Sequence, residues 1–176
     1  MRALPADEGA TTLGEIELVA ELGEAASKVY LGRRSGPRRF SRVVAVRSVG
    51  PFTEAQRELA EAIEDDLRRA AHVSHPSVLP LREVGAHGDA RYVVTDYVEG
   101  GSVADLLDVS GGRLPAGIAV AIALDALAGL EAVHHAEGTK GLVHGRVSSR
   151  NLIVGLDGRT RVADLGCGRA PRAESG

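Results

Sequence analysis

The segment that most constrains this chain lies near its C-terminal end, where residues 143–151 read Val-His-Gly-Arg-Val-Ser-Ser-Arg-Asn and residues 162–166 read Val-Ala-Asp-Leu-Gly. Between them, Asp157-Gly158 is a strong signal for a β-hairpin. Asn151 and Asp164 are spaced like two oxygen ligands for a Mg²⁺ ion that holds the phosphates of a nucleotide. The alternative is an Asn that caps the hairpin and an Asp that lies on the surface, neither with a ligand.

This pattern resembles the catalytic segment of protein kinases, in which His-Arg-Asp is followed by four residues, an Asn, a short hairpin and Asp-Phe-Gly. The same frame here reads His144-Gly145-Arg146, then Asn151 and, after the hairpin, Asp164-Leu165-Gly166. It is most similar to bacterial Ser/Thr kinases whose loop reads His-Arg-Asp-Val-Ser-Pro-Gln-Asn. The resemblance implies weak binding of ATP as a cofactor, with Asn151 and Asp164 as the ligands of Mg²⁺.

The main departure from the family pattern is Arg146, which stands where kinases have the catalytic Asp. A guanidinium cannot accept a proton at physiological pH, and the loss of a general base typically costs ~10²–10⁴-fold in rate. Arg146 also places a positive charge near the metal, although nucleotide phosphates would offset it and Arg146 could grip a γ-phosphate. We therefore expect no intact catalytic group, and a stronger effect on turnover than on binding.

A second departure is in the glycine-rich loop, in which backbone N–H groups of kinases approach the phosphates. The corresponding segment begins at Gly23, and Ala25 and Ala26 replace the later glycines. Taken alone, this segment favours a plain turn between strands, because short glycine motifs are weak evidence. The resemblance makes it a degenerate nucleotide loop, with Gly23 retained.

A third departure is Arg47, in the segment Val44-Ala45-Val46-Arg47, because kinases have a phosphate-gripping Lys at this position that pairs with a helix Glu. The helix Glu position falls on Asp66. An Arg47–Asp66 pair would keep the charges with different geometry. We favour a structural strut over a catalytic role, since Arg–carboxylate pairs are common for stability alone.

Apolar residues that enclose the adenine in the family are matched by Val29, Ala45 and Ile153, and Thr95 takes the gatekeeper place. These four positions complete the predicted cofactor-binding set with Gly23 and Arg47. The apolar ones would also be core residues if no nucleotide binds.

Periodicity and turn signals predict an α+β chain whose β-rich half precedes a helical half. Thr53 and Gln56 have the spacing of a capping box. The predicted strands cover 16–22, 28–32, 43–49, 78–84 and 91–97, and the predicted helices cover 53–72, 102–108 and 114–135. This order resembles a kinase small lobe (14–96) with one long helix, a hinge (97–101) and a truncated, mainly helical large lobe (102–176), after a flexible tail (1–13).

Composition excludes some partners and compartments. The net charge of −3 gives no signature of nucleic-acid binding. The single cysteine, Cys167, excludes an intrachain disulfide and agrees with a cytoplasmic location. No signal peptide is recognisable at the N-terminus. The longest apolar stretch, 114–124, is too short for a membrane span, which needs ~20 apolar residues, so we expect a buried core helix there.

The large-lobe parts that follow Asp-Phe-Gly in kinases have no counterpart in these 176 residues. Their absence leaves the apolar helix 114–135 short of packing partners. An apolar surface of this kind predicts an oligomer or a protein partner that covers the incomplete lobe, or poor solubility.

Four functions agree with these features. The leading hypothesis is a catalytically impaired kinase homologue, a pseudokinase that binds ATP and Mg²⁺ weakly and acts as a binding or regulatory module. The others are an active Ser/Thr kinase with non-standard residues, a small-molecule phosphotransferase, whose loop reads His-Gly-Asp, and a non-functional remnant. Because Arg146 removes the same Asp from the His-Gly-Asp loop, the phosphotransferase hypothesis has no advantage.

Overall fold

The computed structural model describes residues 2–3, 12–22, 28–49, 52–87, 90–136 and 142–169. The chain forms two compact units. The first unit comprises the described residues within 2–57 and 81–97, and the second comprises those within 58–80 and 98–169. The segment 58–80, which the sequence analysis assigned to the small lobe, groups with the second unit.

The first unit is built on a seven-stranded antiparallel sheet in the order β1-β3-β4-β5-β7-β6, with β2 paired to β3 beside this path. Its strands are β1 (Arg2–Ala3), β2 (Thr12–Leu13), β3 (Ile16–Glu21), β4 (Val29–Ser35), β5 (Ser41–Val49), β6 (Leu81–His87) and β7 (Ala90–Asp96). The five predicted strands are present, with one correction. The fourth begins at Leu81 and not at 78, because Val78 forms a parallel bridge with Val162 in the second unit.

One face of this sheet carries the core of the first unit, as the period-two alternation of β5 requires. Gly32 in β4 is needed for this packing, since a Cβ there would lie 2.7 Å from Cγ2 of Ile16. The buried cluster consists of Ile16, Leu18, Val44, Val46 and Val94.

Helix α1 (Arg57–Ala70) follows a 3-10 turn at Glu54–Gln56. The predicted capping box is confirmed: the backbone N–H of Thr53 donates to the Gln56 side chain at 3.1 Å, and both halves of the box are formed. Helix α2 (Val103–Val109) is likewise capped, since the Asp105 N–H donates to the Ser102 hydroxyl oxygen at 3.1 Å. The helical segment after Thr53 thus begins where the capping box predicted, and α2 begins one residue after the predicted start at 102.

The second unit also contains helix α3 (Ala116–His135) and a three-stranded antiparallel sheet, β10-β9-β8. Its strands are β8 (Gly100–Ser102), β9 (Leu152–Gly155) and β10 (Thr160–Val162). Gly129 lets α3 approach the backbone at Ser77 closely, because a Cβ at Gly129 would lie 2.5 Å from the Ser77 carbonyl oxygen. Asp125 adds a polar contact by accepting a hydrogen bond from the Thr160 N–H at 2.8 Å.

The expectation that α3 is buried was wrong for most of its surface. A single stripe is buried, formed by Ile122, Ala126, Gly129 and Val133. The apolar side chains elsewhere on the helix are exposed by about half or more: Ile118 (48%), Val120 (57%), Leu124 (62%) and Leu127 (62%). The expected apolar surface is therefore present.

Among the described residues, α3 is the one helix long and apolar enough to cross a membrane by length and composition, and 22% of its apolar window is buried. The helix predicted over 114–135 is confirmed, and it is this whole helix, and not only the stretch 114–124, that meets the two criteria. Core helices meet the same two criteria, so length and apolar composition do not distinguish a membrane-spanning helix from a core helix.

Candidate functional site

His144 ties the loop that carries Arg146 to the segment before Asp164. Its ring is buried, with 2% of the residue exposed. Nδ1 accepts a hydrogen bond from the Arg146 N–H at 3.2 Å, so Nε2 carries the proton and donates to the Ala163 carbonyl oxygen at 2.6 Å. Burial lowers the pKa of His144, and the Ala163 hydrogen bond opposes this only in part. A neutral imidazole with a fixed tautomer therefore joins the two segments.

Asn151 is held by two hydrogen bonds, neither of which uses its side-chain amide oxygen. The residue is 8% exposed. Its Nδ2 donates to the carbonyl oxygen of Arg146 at 2.8 Å, and its own carbonyl accepts from the Ala163 N–H at 2.8 Å. Because Nδ2 is committed to the loop, Oδ1 is the atom with the chemistry of a magnesium ligand.

The β9–β10 hairpin brings Asn151 and Asp164 to the same end of the sheet. Leu152 pairs with Val162, and Asn151 and Asp164 lie just outside this pair. The turn is set by Gly158, with φ +77°, and by Asp157, which accepts from the Arg159 N–H at 3.2 Å. The hairpin predicted from Asp157-Gly158 is confirmed, and its register explains the spacing of the two oxygen-bearing residues.

Asp164 has a backbone conformation that L-residues rarely adopt. Its φ is +65°, and among the described residues Arg38 is the one other non-glycine residue with positive φ. Such conformations cost of order 1–3 kcal/mol and cluster at functional sites. The following Gly166, with φ +82°, and the Cys167 N–H, which donates to the Asp164 carbonyl at 3.1 Å, complete a tight turn.

The donor set suits a magnesium ion. Mg²⁺ prefers oxygen ligands and is usually held by one or two protein groups, with waters and substrate phosphates completing its coordination. Asn151 and Asp164 supply an amide oxygen and a carboxylate. No group of three or more His, Cys, Asp or Glu side chains able to hold a metal occurs in the part of the chain that the structure describes. These two residues would hold the ion only together with a nucleotide.

Arg146 is at the centre of the loop, and its guanidinium can donate hydrogen bonds but cannot accept them. Its backbone positions His144 and Asn151, as described above. Its guanidinium Nη1 points to the carbonyl oxygen of Cys167 at 3.5 Å, the outer limit of a hydrogen bond. The loop therefore keeps its internal hydrogen bonds while its central side chain cannot act as a base.

Four of the predicted nucleotide-binding residues lie on one face of the first unit's sheet. Directly opposed residues of antiparallel strands share a face. Arg47 opposes Val29, and Ala45 opposes Thr95, so the two β5 residues and their partners point the same way. This face is opposite to the Val44 and Val46 side. The structure thus brings Val29, Ala45, Arg47 and Thr95 together.

The remaining candidates belong to the second unit or lie outside the described residues. Gly23 and its loop lie outside the described residues. Ile153 is half-buried in β9, where it pairs with Ser102 and Arg161. Asp66 is on α1 in the second unit, whereas Arg47 is in the first.

Sequence reasoning missed the arginines that surround Asp66. The carboxylate forms ion pairs with Arg69, one helical turn later, and with Nε of Arg169 at 3.1 Å. The i,i+3 spacing of the first pair was visible in the sequence. No local signal could have revealed Arg169, which is distant along the chain.

Comparison with known proteins decides the family. Residues 16–175 match the family model described as protein tyrosine and serine/threonine kinase. The chain belongs to the protein kinase family. Among curated proteins, it is 29% identical over 155 residues to a probable serine/threonine-protein kinase, CPE1738, of Clostridium perfringens, and 28% identical over 137 residues to the serine/threonine-protein kinase PknL of Mycobacterium tuberculosis.

These matches cover 88% and 78% of this kinase chain but only 22% and 33% of the two relatives. Among solved structures, the Mycobacterium tuberculosis PknI kinase domain matches with a TM-score of 0.72 and 25% identity, over 89% of this chain and 61% of that one. The kinase fold predicted from the sequence is confirmed. This chain spans less than two thirds of each of these proteins.

Proposed function

We propose that this kinase-family chain binds ATP with Mg²⁺, transfers its phosphate poorly or not at all, and acts as a binding or regulatory module. The observation that carries the proposal is Arg146, at the position of the catalytic Asp in a loop whose other hydrogen bonds are intact. Because the backbone of Arg146 still contacts His144 and Asn151, the change at this position removes the base without removing the hydrogen bonds of the loop.

The binding half of the proposal is supported by Asn151 and Asp164. Both are placed at the end of the β9–β10 hairpin, and both have the oxygen chemistry of Mg²⁺ ligands. When bound, the ion would neutralise phosphate charge. Arg146 would add a cation that attracts phosphate oxygens but cannot remove a proton from an acceptor hydroxyl.

A thermal-shift titration with ATP, with and without Mg²⁺, tests this binding. A ligand that binds only the folded state raises the free energy of unfolding, by ~2.7 kcal/mol at a hundredfold excess over Kd. The unfolding midpoint rises as a result. We expect a rise that needs Mg²⁺ and is lost in Asp164→Ala. Asp108→Ala is the matched control, since this exposed carboxylate is on α2 and takes no part in the hairpin.

Two results would contradict binding of ATP and Mg²⁺ at this site. One is the absence of any shift up to millimolar ATP in a folded sample. The other is an equal shift in Asp164→Ala, which would place the nucleotide away from the proposed metal ligands.

An active Ser/Thr kinase with non-standard residues is the second candidate, favoured by the retained metal ligands. Phosphoryl transfer depends mainly on positioning and electrostatics, so a kinase without the base could keep a residual rate. Transfer by the natural chain at the rate of Arg146→Asp would establish this candidate. A chain that does not fold at all would instead favour the non-functional remnant.

The proposal includes a cytoplasmic location, supported by the use of ATP and by the single cysteine, Cys167. It also includes a protein partner or a second copy that covers the apolar part of α3. The exposed Leu124 and Leu127 support this part, because apolar patches of this kind mark interaction surfaces.

A further inference from the structure

Helix α1 carries a carboxylate on its buried face. Ile63, Asp66, Leu67 and Ala70 are the buried residues of this helix, and Asp66 is only 6% exposed. A carboxylate in such a place is destabilising unless charges and hydrogen bonds satisfy it. Its neighbour Asp65 points outward, with 62% of its side chain exposed. The two adjacent aspartates therefore have different environments on the same helix.

Asp66 is satisfied from two directions within the second unit. Arg69 of the same helix contacts Oδ1, and Nε of Arg169 contacts Oδ2 at 3.1 Å. The pair with Arg169 connects the helix to another part of the chain, because Arg169 is at the end of the segment 164–169. Asp65 also pairs with Arg69, at 3.2 Å.

The segment 164–169 also lies against α1 through its backbone. A Cβ on Gly166 would come within 3.0 Å of the Leu67 Cα and 3.1 Å of the Asp66 carbonyl oxygen. Leu165 and Cys167 on either side are buried, with 5% and 2% exposed. The turn after Asp164 therefore packs closely against the part of α1 that contains Asp66.

We propose that Asp66 is a positioning residue: with Arg169 it clamps residues 164–169 onto α1 and thereby fixes the carboxylate of Asp164 for Mg²⁺. The inference rests on the proposed function, because it concerns the same metal site. It assigns Asp66 a role within the second unit, through its contact with Arg169.

The physical need for such a clamp comes from the backbone of Asp164. A non-glycine residue at φ +65° keeps this conformation only when its surroundings hold it. His144 and Asn151 hold the chain before Asp164, through Ala163. The Asp66–Arg169 ion pair and the Gly166 contact hold the chain after it. Removal of one of the two anchors should leave the carboxylate free to move.

Amide hydrogen exchange of the protein without nucleotide tests the clamp itself. Asp66→Asn keeps the shape of the side chain and removes its charge. We expect exchange of the amides of residues 165–169 to accelerate by roughly tenfold, as local opening becomes easier. Asp65→Asn is the matched control, since it also loses a pair with Arg69 but has no contact with Arg169, and its exchange in this segment should equal that of the natural chain.

The positioning role is tested by the Mg²⁺ concentration that gives half of the ATP-induced thermal shift. Residues that orient a metal ligand typically change metal affinity by 10–100-fold when replaced. We expect about a tenfold higher Mg²⁺ requirement in Asp66→Asn and no change in Asp65→Asn. A merely structural role would lower the unfolding midpoint without changing the Mg²⁺ requirement.

Arg169→Gln provides a second route if Asp66→Asn does not fold, because the Arg169 side chain is 57% exposed. It should reproduce the faster exchange and the higher Mg²⁺ requirement, while Arg68→Gln, on the exposed side of α1, should change neither. Where both variants fold, combining Asp66→Asn with Arg169→Gln should add little to either alone.

The inference is overturned if Asp66→Asn and Arg169→Gln bind ATP with the Mg²⁺ requirement of the natural chain, or if exchange of residues 165–169 is unchanged. Those results leave the proposed function standing. A natural chain that shows no Mg²⁺-dependent shift overturns the proposed function and this positioning role together.

Discussion

At the scale of single residues, the site is a retained loop around one incompatible side chain. Arg146 holds Asn151 through its carbonyl oxygen at 2.8 Å, a contact that any residue could make. Its guanidinium is what excludes general-base chemistry. The structural and the catalytic contributions of this position are therefore separable.

Arg146→Asp is expected to restore an acceptor for a hydroxyl proton and to keep the backbone contacts. We predict a rate of phosphate transfer ~10²–10⁴-fold above that of the natural chain, the usual contribution of a general base. Arg146→Asn, which removes the cation without supplying a base, is the control and should not show this gain. An equal rate in Asp and Asn variants would show that the missing base is not what limits transfer.

His144 should give the protein a characteristic pH dependence. Burial lowers the pKa of His144 below its ordinary value of 6.5, so below this pH the unfolded chain binds a proton that the folded chain resists. Stability is therefore expected to fall as the pH drops below about 6.5, by at most about 1.4 kcal/mol per pH unit. Unfolding midpoints measured between pH 8 and pH 5.5 test this.

His144→Gln should weaken that decline, whereas replacement of the exposed His134 by Gln should leave it in place. If the natural chain and His144→Gln lose stability in parallel, His144 is not the group responsible.

At the scale of elements, the parts that could be predicted are those specified by neighbouring residues. The capping box at Thr53 and the turn at Asp157-Gly158 were visible in the sequence, and both were confirmed. The pairing of Asp66 with Arg169 and the bridge from Val78 to Val162 could not be predicted, because they depend on how distant segments pack. The hairpin that carries Asn151 and Asp164 was thus predictable, but the long-range contacts around its ends were not.

The hairpin turn should be sensitive at Gly158. Its φ of +77° is unfavourable for any residue with a Cβ, although nothing lies within 4 Å of the position. We expect Gly158→Ala to destabilise the fold by about 1 kcal/mol through backbone strain alone. Gly117→Ala is a suitable comparison, because Gly117 in α3 also has nothing within 4 Å of the Cβ position but does not have a positive φ. Alanine at this helical position should stabilise the fold slightly. Equal effects in urea unfolding would refute this explanation.

At the scale of the whole molecule, the dominant feature is the uncovered side of α3. Leu124 and Leu127 are each 62% exposed on a helix whose opposite stripe is buried. The sequence predicted an apolar helix, but an all-round apolar pattern could not show which side would be covered.

We expect the chain to self-associate as its concentration rises, because burying this apolar side is favourable by ~25 cal/mol per Å². A Leu124→Lys, Leu127→Lys double variant should remain monomeric at higher concentrations in sedimentation velocity experiments. Ala126→Lys is the contrasting control, because Ala126 is buried and a charged side chain at this position should unfold the second unit. Unchanged association of the double variant would mean that another surface is responsible.

The most direct test is equilibrium dialysis of the folded chain against ATP and Mg²⁺, followed by identification of the nucleotide held on the protein side and of any phosphorylated protein. We predict intact ATP held by the natural chain, none held by Asp164→Ala, and no phosphorylated protein. Bound ADP with phosphate transferred to protein would contradict the impaired catalysis. A natural chain that retains no nucleotide would contradict the ATP site on which the proposed function depends.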